Sequence, residues 1–215
     1  MSGRSAVKRL QVGSAILPLE IFSIHQRLVQ IPDPAQMVHL QFRRFAGCPI
    51  CDLHLRSVVR RHAEIAAAGI REVVVFHSTR AVLLPHAEGL PFDAIADPEK
   101  RLYAEFGVES AARALLDPRA WLPLLLGVLR STFRVLSGKQ PLPEVRPHGG
   151  SLGLPADFLL SSEGRVIACR YGEHAYDQWS VDEMLELAGS AQRVDARPAR
   201  PSASPLPPKR IRTNE

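Results

Sequence analysis

Cys48 and Cys51 stand three positions apart in the stretch RRFAGCPICDLHLR, with Pro49 and Ile50 between them. Two thiols at this spacing can close a reversible disulfide, supply half of a metal site, or simply fill apolar space. Metal binding needs further donors. His54 extends the run to Cys48, Cys51 and His54, and His62 follows two turns later, but no second CxxC and no H-x3-H completes a tetrahedral set. The redox reading therefore leads. Two alternatives stay open: a metal-binding protein using Cys48, Cys51 and His54, and a non-catalytic binding module.

Redox chemistry needs one thiol ionised near neutral pH, and a helix N-terminus provides that through unpaired N–H groups and the positive end of the helix dipole. The flanking sequence predicts such a placement. Residues 37–45, MVHLQFRRF, alternate Val38, Leu40 and Phe42 with His39, Gln41 and Arg43, the period of a strand. Residues 51–68 put Leu55, Val58, Val59, His62, Ile65 and Ala66 on one helical face, with Arg56, Arg60, Arg61 and Glu64 largely off it and Gly69 at the end. The cysteine pair falls where strand hands over to helix. Pro49 suits the first turn, where its missing N–H costs nothing. Arg43 and Arg44 add positive potential. Cys48 is expected to project from the helix end and attack; Cys51, shielded by the first turn, is expected to resolve.

Around this core, residues 27–31 (RLVQI) and 37–45 read as a hairpin turned by PDPAQ. EVVVFHS (72–78) is a buried central strand, FDAIADP (92–98) a further strand, and PEKRLYAEFGV (98–108) a short helix. ADFLLSSEGRVIACRYG gives two strands around a turn, and SVDEMLELAGS (180–190) a helix capped by Ser180 and Glu183. The sum is an α/β domain with helices packed on a mixed sheet. His77 and Ser78 end a central strand, where open sheets place functional groups; His77 reads as a proton-transfer aid or an exposed loop residue. Cys169 reads as a small core residue, and His174, Asp177 and Trp179 as a turn seating the last helix.

FRRFAGCPICDLHLR, the VVVFHS strand, LPADFLL and YGEHAYDQWSVDEML together resemble the peroxiredoxin-like branch of the AhpC/TSA family, within the thioredoxin-like superfamily, over about residues 10–190. The resemblance implies a thioredoxin-like mixed β-sheet flanked by helices and a thiol-disulfide oxidoreductase or thiol-dependent peroxidase of antioxidant type. It implies a peroxide or disulfide substrate, a thioredoxin- or glutaredoxin-like dithiol donor, and no organic cofactor or metal. It also places a cis peptide bond at Leu154–Pro155, beside the thiols. One departure is plain. Peroxiredoxins carry P-x-x-x-T-x-x-C; aligned on Cys51, the threonine position holds Cys48 and the proline position holds Arg44.

The chain has 215 residues, 46% of them apolar, enough for one domain with a tail. The domain is expected over residues 1–192, carrying a helical insertion at about 109–147. Residues 193–215 read as a disordered basic tail, with six basic residues against two acidic and no interleaved aromatics; no specific nucleic-acid partner follows from it. The short apolar run near the N-terminus is broken by Pro18 and Glu20, so the chain reads as cytoplasmic, without a leader or transmembrane segment. Within the insertion, Trp121, Leu124, Leu125, Val128, Leu129, Phe133 and Leu136 form a stripe near Arg130 and Arg134. It fits a lid over the cysteines, a homodimer interface, an interfacial membrane contact, or packing on its own domain.

Overall fold

The computed structural model describes residues 9–108, 121–137, 150 and 153–195. Five strands form a mixed sheet in the order β5-β4-β3-β6-β7: β3 (Met37–Arg43), β4 (Ile70–Phe76), β5 (Asp93–Ala96), β6 (Ala156–Leu160) and β7 (Val166–Tyr171). β3, β4 and β5 run parallel, while β6 and β7 are antiparallel additions. A separate two-stranded ribbon joins β1 (Leu19–Phe22) to β2 (Leu28–Ile31). The helices are α1 (Pro49–Arg60), α2 (His62–Ala67), α3 (Arg80–Ala87), α4 (Arg101–Glu105), α5 (Trp121–Leu136) and α6 (Val181–Asp195). This is the expected thioredoxin-like arrangement.

Both faces of the sheet are covered. One buries Val74, Phe76 and Leu159 against Leu55 and Val58 of α1, Ile65 of α2, Leu83 of α3 and Met184 of α6. The other packs Leu40, Phe42, Val75 and Phe158 against Val29 and Ile31 of the ribbon and against Tyr103 and Phe106. Full coverage explains why β3 departs from an amphipathic strand: His39, Gln41 and Arg43 are as buried as the apolar residues between them. Strand register supplies their partners. His39 lies opposite Glu72 on β4, and Gln41 opposite Asp157 on β6. His39 Nδ1 meets Glu72 at 2.9 Å, and Arg43 Nη2 meets Asp157 Oδ1 at 2.6 Å.

Three sequence expectations change. Residues 27–31 do not pair with β3; they pair with β1, because the turn signals between 31 and 37 mark a reversal without naming the neighbour. The helix expected over 51–68 breaks at Arg61, whose φ of −110° and ψ of 15° separate α1 from α2. Leu154–Pro155 is trans. The cis peptide bond among the described residues is Ile31–Pro32. β6 begins directly after Pro155, whose carbonyl accepts the Gly172 amide at 2.9 Å. The capping box at Ser180 and Glu183 forms as expected, with the Glu183 amide donating to Ser180 Oγ at 3.2 Å and the Ser180 amide donating to Glu183 at 2.7 Å. α6 ends at Asp195; most of the expected tail (193–215) and much of the expected insertion (109–147) lie outside the described residues, which leave out 196–215, 109–120 and most of 138–152.

Candidate redox site

The site forms at the carboxyl ends of the parallel strands β3 and β4. The loops leaving those strands are tied together: the His77 amide donates to the Arg44 carbonyl at 3.2 Å, and the Ala46 amide donates to Ser78 Oγ at 2.9 Å. Between Phe45 and Cys48 the chain makes a tight turn closed by the Cys48 amide on the Phe45 carbonyl at 3.2 Å. Gly47, with φ of 75°, takes the position of that turn that needs a left-handed residue. The turn delivers Cys48 as the N-cap of α1, with extended backbone, and Pro49 opens the helix.

Cys48 and Cys51 are both free thiols, 1% and 3% exposed. Cys48, expected to project from the helix end, stands at the end of α1 but is buried there. Ile50, Ala175 and Tyr176 pack around the pair, and α5 lies across the start of α1. Gly127 makes that crossing close: a Cβ there would stand 2.8 Å from the Pro49 carbonyl oxygen. Both thiols still line a cleft of about 600 Å³, walled by Leu55, Val59, Phe76, Leu83, Leu90 and Arg130.

The electrostatics separate the two sulfurs. Burial alone pushes the Cys48 thiol up, but a hydrogen bond with Cys51, the Arg44 guanidinium and the amides of Ile50 and Cys51 outweigh it and bring the pKa down to about 6. Arg44 Nη1 lies 3.6 Å from Cys48 Sγ. Cys51 is pushed well above the ordinary thiol range by burial and by the Cys48 charge beside it. One thiolate and one thiol share the site at neutral pH.

The remaining expected residues fall as follows. Gly153, just before Leu154 and Pro155, is tight against His77 and Arg44: a Cβ would stand 2.9 Å from His77 Nε2 and 3.6 Å from Arg44 Cγ. The 153–155 segment is thus beside the site although its bond is trans. His77 is not a loop-exposed residue; it is fully buried, its ring stacked edgewise on Tyr103, and burial with the Lys100 and Arg44 charges lowers its pKa to about 4. His54 is not exposed either. Its Nε2 lies 3.2 Å from Arg43 Nη2, and burial and that cation hold it neutral. Among the described residues no three His, Cys, Asp or Glu side chains are grouped to hold a metal ion. Cys169 sits on the edge strand β7 with its pKa raised by burial. Arg43, read as a charge near the thiols, is instead fully buried and bonded to Asp157 and Gln41. His174 and Asp177 build the turn that seats α6, with the Glu173 amide on Asp177 Oδ2 at 2.8 Å.

Sequence reasoning assigned no site role to Tyr103, Ala175, Tyr176 or Gly127. The Tyr103 hydroxyl shares its one proton between the carbonyls of Arg43 and Val75, tying the strand ends under the cysteines. Only Gly127 carried a local signal, as a glycine inside an otherwise apolar helix.

A family model described as AhpC/TSA antioxidant enzyme matches residues 57–174, more than half of the chain; the cysteine pair lies just before the matched span. Three solved structures share the fold at 14% identity. Peroxidoxin BcpB from Mycobacterium tuberculosis superposes with a TM-score of 0.56 over 85% of this chain and 98% of that one. A cysteine-to-serine mutant of peroxiredoxin 6 from Arenicola marina gives 0.62 over 87% and 76%. StoA from Bacillus subtilis gives 0.51 over 81% and 98%. No curated protein matches the sequence significantly.

Proposed function

For a chain that belongs to the AhpC/TSA antioxidant-enzyme family, we propose thiol–disulfide oxidoreductase or thiol-dependent peroxidase activity, centred on Cys48 and Cys51. The observation that carries this reading is geometric: Cys48 stands at the N-cap of α1 with Arg44 Nη1 3.6 Å from its sulfur and Cys51 one turn behind it, an arrangement that lowers the Cys48 pKa and raises that of Cys51.

With a disulfide substrate, the Cys48 thiolate attacks one sulfur, a mixed disulfide forms, and the other substrate sulfur leaves as a thiolate that takes a proton. Cys51 then loses its proton and attacks Cys48 Sγ, expelling the second substrate thiolate and closing the Cys48–Cys51 disulfide. The substrate gains two electrons and the pair loses two. With a hydroperoxide, Cys48 attacks the O–O bond, an alcohol or water leaves, and Cys48 becomes a sulfenic acid; Cys51 condenses with it and water departs. Either route ends in one internal disulfide, which an external dithiol donor of thioredoxin- or glutaredoxin-like type reduces. Dithiol exchange is the better supported route, since Cys48 stands where a peroxiredoxin has its peroxide-holding threonine. The cleft gives a substrate sulfur its approach, and Leu154 and Pro155, which follow the Gly153 packed on Arg44 and His77, are proposed to support it.

Intact-mass analysis tests this on the full chain exposed to oxidised glutathione or to hydrogen peroxide. Wild type is expected to lose two hydrogens at micromolar oxidant, Cys51→Ser to trap a mixed disulfide or sulfenic acid on Cys48, and Cys48→Ser to remain reduced. If Cys48 oxidises no faster than Cys169, the reading fails. Stoichiometric zinc or iron in the purified protein would instead favour metal binding.

A further inference from the structure

α5 carries the most unusual surface of the described residues. Gly127 is buried against the start of α1, and Ser131, one turn on, is buried as well. The other side of α5 exposes Trp121, Leu122, Leu125, Leu126, Val128, Leu129, Phe133 and Leu136. Successive residues turn by about 100°, which gathers these side chains into a stripe nearly half the circumference wide. Large side chains this exposed amount to several hundred Å², comparable with the ~800 Å² that each partner of a standard interface buries. A surface of that size and continuity marks a binding face.

The length and charge of α5 decide what it binds. Sixteen residues span about 24 Å, short of the ~30 Å hydrocarbon core, and no described helix is long and apolar enough to cross a membrane. α5 contains no carboxylate. Arg130 borders the stripe and lines the cleft with Arg56 and Arg60, against Asp52, which is paired to Arg56, and Glu88. A second copy of the chain fits this pattern poorly. Two-fold antiparallel packing of stripe on stripe would bring the two Arg130 side chains to the same edge, near the middle of the contact, with no acidic residue on either α5 to meet them. An anionic lipid surface complements both features, acyl chains receiving the leucines and headgroups the arginines.

We propose that α5 docks in the plane of an anionic phospholipid bilayer, stripe inward, which puts the mouth of the cysteine cleft at the lipid surface. The inference does not depend on thiol chemistry. Sedimentation of the full-length protein with phosphatidylcholine vesicles, with or without phosphatidylglycerol, tests it. Wild type and Cys48→Ser are expected to bind the anionic vesicles alike. Leu125→Glu/Leu129→Glu, two exposed positions, should lose at least tenfold in partitioning while keeping the wild-type circular dichroism. Arg130→Glu should lose several-fold on anionic vesicles, and raised salt should weaken wild type. Failure of wild type to sediment with anionic vesicles overturns the proposal, as does unchanged binding by the double glutamate variant. A lipid-free dimer that Leu125→Glu/Leu129→Glu splits would assign the face to a second copy and overturn it equally.

Discussion

Cys48 and Cys51 are identical in chemistry and three residues apart, yet their surroundings drive their acidities in opposite directions. Cys48 receives the helix N-terminus and Arg44; Cys51, one turn in, receives burial and a negative neighbour. With a pKa of about 6, Cys48 is half ionised at pH 6 and almost fully ionised at pH 7.5, so its alkylation by iodoacetamide should reach half its maximum rate near pH 6. Replacing Arg44 by Ala removes the closest cation and raises the thiol pKa. Alkylation of Cys48 at pH 6 is then expected to slow about three- to tenfold, with Cys169 unaffected; mass spectrometry after timed quenching reads both sites, and an unchanged Cys48 rate would remove Arg44 from the account. Cys48, Cys51, Pro49 and Arg44 were legible because their relations are local, within one turn and one helix end. Tyr103 bonds a carbonyl 60 positions away and Arg43 a carboxylate 114 away, relations that only the sheet creates.

At the scale of elements, the strand-to-helix handover was readable from a change of period, 2 to 3.6, across a turn glycine and a proline. α3 was missed because Pro85 lies inside it and its eight residues show little periodicity. Burial of His39, Gln41 and Arg43 was missed for a different reason: alternation is the pattern of a strand with one wet face, and the carboxylates that permit two dry faces sit on other strands. α5 raised the opposite problem. Its stripe was legible, its orientation was not, and the packing resolves it through Gly127 rather than the leucines. Gly127→Ala puts a methyl 2.8 Å from the Pro49 carbonyl oxygen, backbone that cannot swing aside, so α5 must shift. The expected cost is about 1–3 kcal/mol, with Cys48 becoming more accessible. Alkylation of Cys48 at pH 8 should accelerate several-fold while far-ultraviolet circular dichroism stays native; slower alkylation would mean that α5 does not restrict access to the thiol.

The whole molecule is pinned through one buried polar network. Glu72 on β4, His39, Gln41 and Arg43 on β3, Asp157 on β6 and His54 on α1 are all nearly water-free, and Asp157 also accepts the Trp179 amide at 3.2 Å before α6. Removing one member strands another: Asp157→Asn is expected to cost about 3–5 kcal/mol by leaving the buried Arg43 without its counter-charge and His39 with Glu72 alone, read as a drop in urea midpoint. The network also sets how stability follows pH. Burial alone would lower the His39 pKa, but Glu72 and Asp157 push it from 6.5 up to about 9. A raised cation stabilises fully below its unfolded value and loses that contribution as pH climbs through 9. Asp157, held well below the carboxylate range against burial by Arg43 and His39, contributes above its unfolded value and loses out only in acid. Cys48 opposes His39 across the same alkaline window, because its depressed thiol adds stability as pH rises from 6 towards 9. His54 and His77, kept neutral by burial, add their stability as pH rises through 6.5 and contribute little further change above pH 7. Above that point Cys48 and His39 nearly offset, and wild type should look almost flat from pH 7 to 8.5. Cys48→Ser removes one side of the balance, so that variant is expected to lose about 2 kcal/mol over the same interval. Urea unfolding at the two pH values measures it, and imidazole ¹⁵N shifts should show His39 still doubly protonated at pH 8. A flat profile in Cys48→Ser, with His39 neutral at pH 8, would mean that the network holds a neutral histidine and that Arg43 with Asp157 is its only ion pair.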